Sequence, residues 1–401
     1  MTAAPRIVHL IAEFSAHEAM GRTVAETAAR VPGEHHLVTV RAHDGTAPFA
    51  GVHEVGGRVA TFPFGRTEQL GALLRRIGPD VVHVHVGALG ALGVLSAMAP
   101  ALRRQPTLLT VYAWQSVPGP RAWRRASLSE MRSSNVLRPR VAASTVLPPA
   151  LAALALRRVG VTTVLTPDPR VVDRLRGRDW LTVTALPSGA PRDERRARFD
   201  PDRPTIVFAG RAENVRGVDT LLDAFPLVRQ EVPGARLRLL LIPRPELAAI
   251  RVRAAAADDS GAIEVVTGPV PDLLAEFAAA QVGAWPFKFD YTTSPPAMAV
   301  AEGMSVGLPV VATDVACVRA VLEPDINGLV VPPARPDALA RALVRLLRDE
   351  TTWQRYADAG VRSVRERLGW DRAAAVTEAA YASVHWQGAS PVSSAAGTPS
   401  A

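Results

Sequence analysis

A chain of 401 residues, 48% of them hydrophobic, is long enough for two ordinary domains with separate cores. The formal charge of +8 is almost all arginine (45 of 46 basic residues, Lys288 being the exception), and no basic-aromatic module accompanies it, which argues against nucleic acid and modestly favours nucleotide phosphates or an anionic membrane face. The lone cysteine, Cys317, excludes an internal disulfide and a cysteine-rich metal centre and suits a reducing, cytoplasmic compartment.

The first residues lack a basic segment before the apolar run 6–12, so no signal peptide is expected, and the apolar runs 86–102 and 141–156 are short for a membrane span. Residues 6–12 read as a buried strand, 23–30 as a short helix and 36–41 as a strand. A glycine-rich stretch over 52–64 precedes a helix at 67–77. A strand follows at 80–85, Asp-Val-Val-His-Val-His, then a helix at 89–104 and a strand at 106–112. This alternation predicts a doubly wound parallel sheet, whose ligands sit at the C-terminal ends of the strands. Residues 13–21, 85–87 and 112–114 are therefore candidate cleft loops, carrying His17, Glu18, Gly21, His85, Tyr112 and Trp114. His83 and His85 stand on one strand face; His85, nearer the C-terminal end, is the one placed to reach the cleft, and two histidines are too few for a metal site.

Residues 113–140 interrupt the rhythm with Trp114, Trp123, Arg121, Arg124, Arg125, Arg132, Arg138 and Arg140 against one acid, Glu130. That density suits an interfacial segment on anionic lipid or a site for an acceptor phosphate, and equally a solvated loop. Strand, helix and strand resume over 162–166, 170–176 and 181–186. A charged, proline-bearing segment at 191–203 has no apolar period and reads as a linker between domains.

The second alternating unit opens with the strand 205–209 and the loop Gly210-Arg211-Ala-Glu-Asn-Val-Arg216-Gly217. The glycines permit tight turns, and the guanidiniums of Arg211 and Arg216 can clamp a diphosphate through forked hydrogen bonds. Strands and helices continue at 238–242, 245–257, 263–267, 271–279 and 282–286. Beyond them, Ser294 before Pro295 reads as a helix start, and Ala297, Met298, Ala301, Met304 and Ser305 recur at helical spacing. Gly307 ends that helix before the apolar strand 309–312. Glu302 lies eight residues beyond Ser294, or roughly 12 Å along the axis. A helix start that holds phosphate and a carboxylate at that distance match a diphosphate and its ribose; one solvated glutamate on an amphipathic helix is the plain alternative. Helices follow at 337–347, 351–367 and 370–386, and the low-complexity tail 387–401 is expected to be disordered.

Glu302-Gly-Met-Ser-Val-Gly-Leu-Pro-Val-Val-Ala-Thr313, followed by Asn327-Gly-Leu-Val-Val-Pro-Pro333, resembles the donor-site signature of family 4 glycosyltransferases with the GT-B fold. The Arg211/Arg216 loop is similar to that family's Gly-Arg, four residues, Lys-Gly, with arginine standing for lysine. The resemblance implies an α/β protein of two Rossmann-like, doubly wound parallel-sheet domains facing each other. It divides the chain into an acceptor-binding domain (1–190), a linker (191–203), a nucleotide-sugar domain (204–368), a helix crossing back to the first domain (369–386) and a tail (387–401). It implies hexosyl transfer from a UDP- or GDP-sugar co-substrate to a hydroxyl on a lipid-linked, polysaccharide or small-molecule acceptor, with retention and no obligatory cofactor or metal. Donor contacts fall on Gly210, Arg211, Arg216, Ser294, Pro295, Ala297, Met298 and Glu302, catalytic roles on Arg211, Arg216, Glu302 and His85, and acceptor contacts on His17, Gly21, Tyr112 and Trp114. Work at the inner membrane face fits such acceptors.

The chain also departs from the family. Ser294 stands where the first of two glutamates is usual, Tyr112 where a Thr-x-His histidine is usual, and Gly21 alone where the first loop has a glycine pair. Asp200-Pro-Asp202 copies the Asp-x-Asp of metal-dependent sugar transferases but precedes a strand, so it reads as linker. Alternatives are a catalytically degenerate nucleotide-binding or partner subunit, and a nucleotide-sugar epimerase of the same fold.

Overall fold

The computed structural model describes residues 4–16, 18–56, 67–87, 98–103, 105–114, 148–191, 193–258, 260–268, 270–290, 293 and 295–388. The expected helix at 89–104 and the arginine–tryptophan stretch at 113–140 lie largely outside these residues, as do His17, Ser294 and the tail from 389.

Strands β1 (Arg6–Phe14), β2 (Glu34–Ala42), β3 (Gly51–Glu54), β4 (Val81–Val86), β5 (Thr107–Val111), β6 (Thr163–Thr166) and β7 (Thr182–Ala185) form one parallel sheet in the order β3-β2-β1-β4-β5-β6-β7. Strands β8 (Thr205–Arg211), β9 (Arg236–Ile242), β10 (Ile263–Thr267), β11 (Val282–Trp285), β12 (Val310–Thr313) and β13 (Leu329–Val331) form a second, β10-β9-β8-β11-β12-β13, also parallel. The fold is thus α/β with two doubly wound sheets. Central strands such as β4, β5 and β11 are buried along their whole length, because helices cover both faces; hence their unbroken apolar runs. Strand order reverses between β1 and β4 and between β8 and β11, so each sheet opens a crevice beyond Phe14 and Arg211.

On the first sheet lie α1 (Ala19–Arg30), α2 (Thr67–Ile77), α3 (Pro149–Val159) and α4 (Pro169–Leu175). The second lobe carries α5 (Val218–Glu231), α6 (Leu247–Ala257), α7 (Leu273–Ala278), α8 (Met298–Ser305), α9 (Ala316–Arg319), α10 (Pro336–Arg348) and α11 (Glu350–Arg367). The last helix, α12 (Trp370–Gly388), returns to the first lobe. Its Trp370, Ala373, Tyr381 and Val384 share a buried cluster with Ile7, Val81, Leu108 and Leu165. Gly189 makes room for that return, since a Cβ there would sit 1.9 Å from the Trp370 ring.

Three elements differ from expectation. Helix α1 starts at Ala19 rather than 23, its first turn pressed onto the preceding loop: a Cβ on Gly21 would meet the Ser15 carbonyl oxygen at 2.2 Å. Strand β3 lies in the glycine-rich stretch, where Val52 and Glu54 alternate with neighbours on an edge strand paired to β2. Helix α8 starts at Met298, not at Ser294-Pro295. Pro295 precedes another proline and is held off the helical conformation, while Ala297 is extended and donates its N–H to the Cys317 carbonyl at 3.0 Å.

Candidate active site

At the end of β8 the chain makes a tight turn, Asn214–Arg216, closed by Gly217 at φ 79°. Any side chain at 217 would be strained there, and its Cβ would fall 1.8 Å from the Pro286 carbonyl oxygen. The turn folds Arg216 inward. Its guanidinium lies 5.8 Å from the centre of the Phe287 ring, and its Nε is 3.5 Å from a Glu213 oxygen. That contact has ion-pair distance without hydrogen-bond alignment: among the described residues the buried Nε–H has no acceptor. Burial holds the Arg216 pKa down, against the pull of Glu213. Arg211, half exposed, points its Nη2 to Glu18 Oε2 at 3.5 Å; Arg244, just past β9, lies 3.9 Å from Glu18 Oε1 and 3.8 Å from Glu213 Oε1.

Helix α8 lies close on β11 because Gly303 faces Trp285, where a Cβ would be 3.1 Å from the ring; the indole in turn donates to the Ala209 carbonyl at 3.1 Å. Gly307, at φ 72°, ends the helix. This packing sinks Glu302 until its side chain is 5% exposed. Burial pushes its pKa up, and Arg22 of the opposite lobe, donating from Nη1 to Glu302 Oε1, opposes the rise.

Glu18 and Arg22 lie one helical turn apart at the start of α1, so a single turn of the first lobe meets both the guanidinium loop and the buried carboxylate of the second. The Arg211/Arg216 loop and Glu302, far apart in sequence, thus each meet the start of α1. Arg22 and Arg244 were not legible as site residues. Their signals were faint: Arg22 is four residues beyond Glu18, and Arg244 follows the strand beside β8. Arg170 is a third. Asp168 grips it through Nε at 2.9 Å and Nη2 at 2.8 Å, and the charge of Asp290 reaches it from the other lobe.

Of the first lobe's expected cleft side chains, Glu18 reaches the second lobe, whereas His85, Tyr112 and Trp114 are buried. His85 is buried because β4 is a central strand beneath α12. Its place is in a directed chain of hydrogen bonds. The Val31 carbonyl can only accept, so His35 Nε2–H donates to it at 2.8 Å; His35 Nδ1 then accepts from His9 Nε2 at 2.8 Å. His9 Nδ1 in turn accepts from His85 Nε2 at 3.2 Å, leaving His85 Nδ1 to face the Tyr112 hydroxyl at 3.4 Å. His83 bonds Tyr381 at 2.8 Å and Thr110 at 2.6 Å. Nitrogens of His9, His83 and His85 lie within 4.8 Å of one another, but these hydrogen bonds already engage both nitrogens of each ring, and a cation would have to break them. Burial lowers the pKa of all four histidines, that of His85 to about 3. Tyr112 is buried with its hydroxyl pKa raised, and Trp114 donates its backbone N–H to Asp168 at 2.8 Å under the Arg174 guanidinium. Both pack inside the lobe.

Two doubly wound lobes, facing each other through the C-terminal ends of their strands and rejoined by a returning helix, define the GT-B fold. Residues 203–349, in the second lobe, match the family described as Glycosyl transferases group 1. Among solved structures, the chain is similar to sucrose-phosphate synthase from Thermosynechococcus elongatus (TM-score 0.71, 17% identity, covering 96% of this chain and 100% of that one). It is also similar to Anabaena Alr3699/HepE in complex with UDP and glucose (TM-score 0.70, 14% identity, 94% and 100%). Curated relatives include a D-inositol 3-phosphate glycosyltransferase of Xylanimonas cellulosilytica, 35% identical over 185 residues (45% of this chain, 42% of that protein). Another is a phosphatidyl-myo-inositol mannosyltransferase of Mycobacterium leprae, 33% identical over 193 residues (46% and 48%). The chain spans less than half the length of these two relatives.

Proposed function

We propose that the protein is a glycosyltransferase moving a hexosyl group from a UDP- or GDP-sugar to an acceptor hydroxyl, with retention and without an obligatory metal. One observation carries this reading: the Arg211/Arg216 loop and buried Glu302 meet the same turn of the first lobe, through Glu18 and Arg22, and the buried Arg216 Nε–H has no acceptor among the described residues. Arg211 and Arg216 take the donor diphosphate, and Glu302 accepts from ribose hydroxyls. The acceptor oxygen bonds to the anomeric carbon on the face from which the diphosphate leaves. As the sugar–phosphate C–O bond breaks, the departing phosphate oxygen takes the acceptor's proton. The work of the protein is then to stabilise charge on the leaving diphosphate, which needs cations rather than a side-chain base. His85 drops out of this scheme because it is buried. Ala297 contributes position only, its N–H being spent on Cys317. The name of a Mycobacterium tuberculosis relative, a GDP-mannose-dependent mannosyltransferase, and the UDP complex of the Anabaena structure favour the two donor classes considered.

The test is turnover of UDP- and GDP-hexoses with a panel of acceptors. Arg211→Ala and Glu302→Ala should each lower it at least about tenfold; unchanged turnover in both would refute these roles. Burial of Tyr112, where the family has a catalytic-cleft histidine, favours a second reading as a nucleotide-binding subunit. Nucleotide binding without any transfer would support that instead.

For location we propose the inner membrane face. Among the described residues no helix is long and apolar enough to cross a membrane. Helix α3, however, exposes Leu151 and Leu154 beside Arg157 and Arg158. Failure to co-sediment with anionic vesicles at low salt would exclude it.

A further inference from the structure

The carboxylates that meet Arg22, Arg211, Arg216 and Arg244, namely Glu18, Glu213 and Glu302, are not equivalent. Glu302 is sunk in the second lobe, whereas Glu18 belongs to the first lobe, is 52% exposed, and reaches over to two guanidiniums, Arg211 at 3.5 Å and Arg244 at 3.9 Å. As the residue preceding α1 it caps nothing: its side chain makes no capping hydrogen bond to the helix. Its placement is therefore explained by the cations it faces and not by the helix it begins. A carboxylate between two guanidiniums is what a phosphate group of a donor would be.

We infer that Glu18 is a resident anion at the diphosphate site, holding Arg211 and Arg244 until a nucleoside diphosphate displaces it. This rests on the donor site proposed above and adds to it a competing group from the other lobe. Glu18 and the diphosphate have the same charge sign and both claim Arg211, so only one can hold it. The long, half-exposed contacts set the scale: such pairs are loose and are exchanged cheaply for the shorter, charge-assisted bonds that phosphate oxygens form. Arg22, by contrast, engages only one oxygen of Glu302, and a ribose hydroxyl can share that carboxylate without expelling it. Glu18 leaves and Arg22 stays.

The test measures binding of UDP, GDP and the corresponding phosphate-free nucleosides to the full chain and to Glu18→Gln, which keeps the side-chain size and removes the charge. Glu18→Gln should bind the better nucleoside diphosphate about two- to fivefold more tightly, as expected for loss of an exposed competing ion pair. The gain should shrink as salt is raised, and nucleoside binding should not change. Unchanged or weaker diphosphate binding in Glu18→Gln overturns the inference, and if Arg216→Ala still abolishes binding the donor site itself stands. Equal tightening for the nucleosides also overturns it, since the effect would then not act through phosphate. Failure of either diphosphate to bind any form removes the donor site and this inference together.

Discussion

Arg22→Ala removes the cation that faces Glu302 across the lobes and leaves a carboxylate of 5% exposure unpaired. Removing one partner of a fully buried pair costs about 3–5 kcal/mol. The Arg22 side chain is 26% exposed, so water already screens its end, and a deficit of about 1–3 kcal/mol is the better expectation. The carboxylate can also escape by protonation, at about 1.4 kcal/mol for each pH unit above its pKa. The sign follows from that escape. Burial already raises the Glu302 pKa, and the variant raises it further. A carboxyl whose folded pKa lies above its unfolded value supports the fold while protonated and loses that support as pH rises through the folded pKa. The difference between wild type and Arg22→Ala should therefore be small near pH 4.5 and largest near pH 7.5, where a thermal melt should show roughly 2–8 °C. Glu302→Gln in the same background should abolish this pH dependence. A deficit that is equal at both pH values, or no deficit at pH 7.5, would refute the buried ion pair.

Gly217→Ala should destabilise the second lobe by about 2–4 kcal/mol and weaken diphosphate binding, because the left-handed turn and the Pro286 carbonyl leave no room for a Cβ; urea titration checks this, and a loss below about 0.5 kcal/mol would contradict the turn. The histidine cluster should make the fold acid-labile. Its members have pKa values below the unfolded value of about 6.5, so the stability they give is complete above that pH and falls as pH drops toward 3. His9→Gln should flatten the fall in denaturation midpoint between pH 6.5 and 4.5, and an unaltered slope would contradict the network. Gly303→Ala should lift α8 from Trp285 and cost about 1–3 kcal/mol, readable as a red-shifted tryptophan emission.

The second lobe was the more legible half. Gly217, Gly303 and Gly307 each answer a local backbone demand, so the motif around Glu302 and the Arg211/Arg216 loop show in one sequence what the fold requires. The start of α8 did not, since Ser294-Pro295 has the chemistry of a helix start while the second proline forbids it. In the first lobe, the strand pattern was readable but not the depth of its side chains. His85 looked cleft-facing because its place along β4 is visible in sequence, whereas the partners that bury it, His9 from β1 and the covering helix α12, come from distant segments. Arg22 was hidden for the same reason: its partner is 280 residues away.

The claim that Arg211, Arg216 and Glu302 form one site for a nucleoside diphosphate is tested most directly by calorimetric titration of UDP and GDP into wild type, Arg216→Ala and Glu302→Ala. One of the two nucleotides should bind saturably to wild type, and each substitution should weaken it by at least about tenfold, as loss of a charge-assisted contact requires. Binding of equal strength in all three proteins, or of neither nucleotide to wild type, would contradict it.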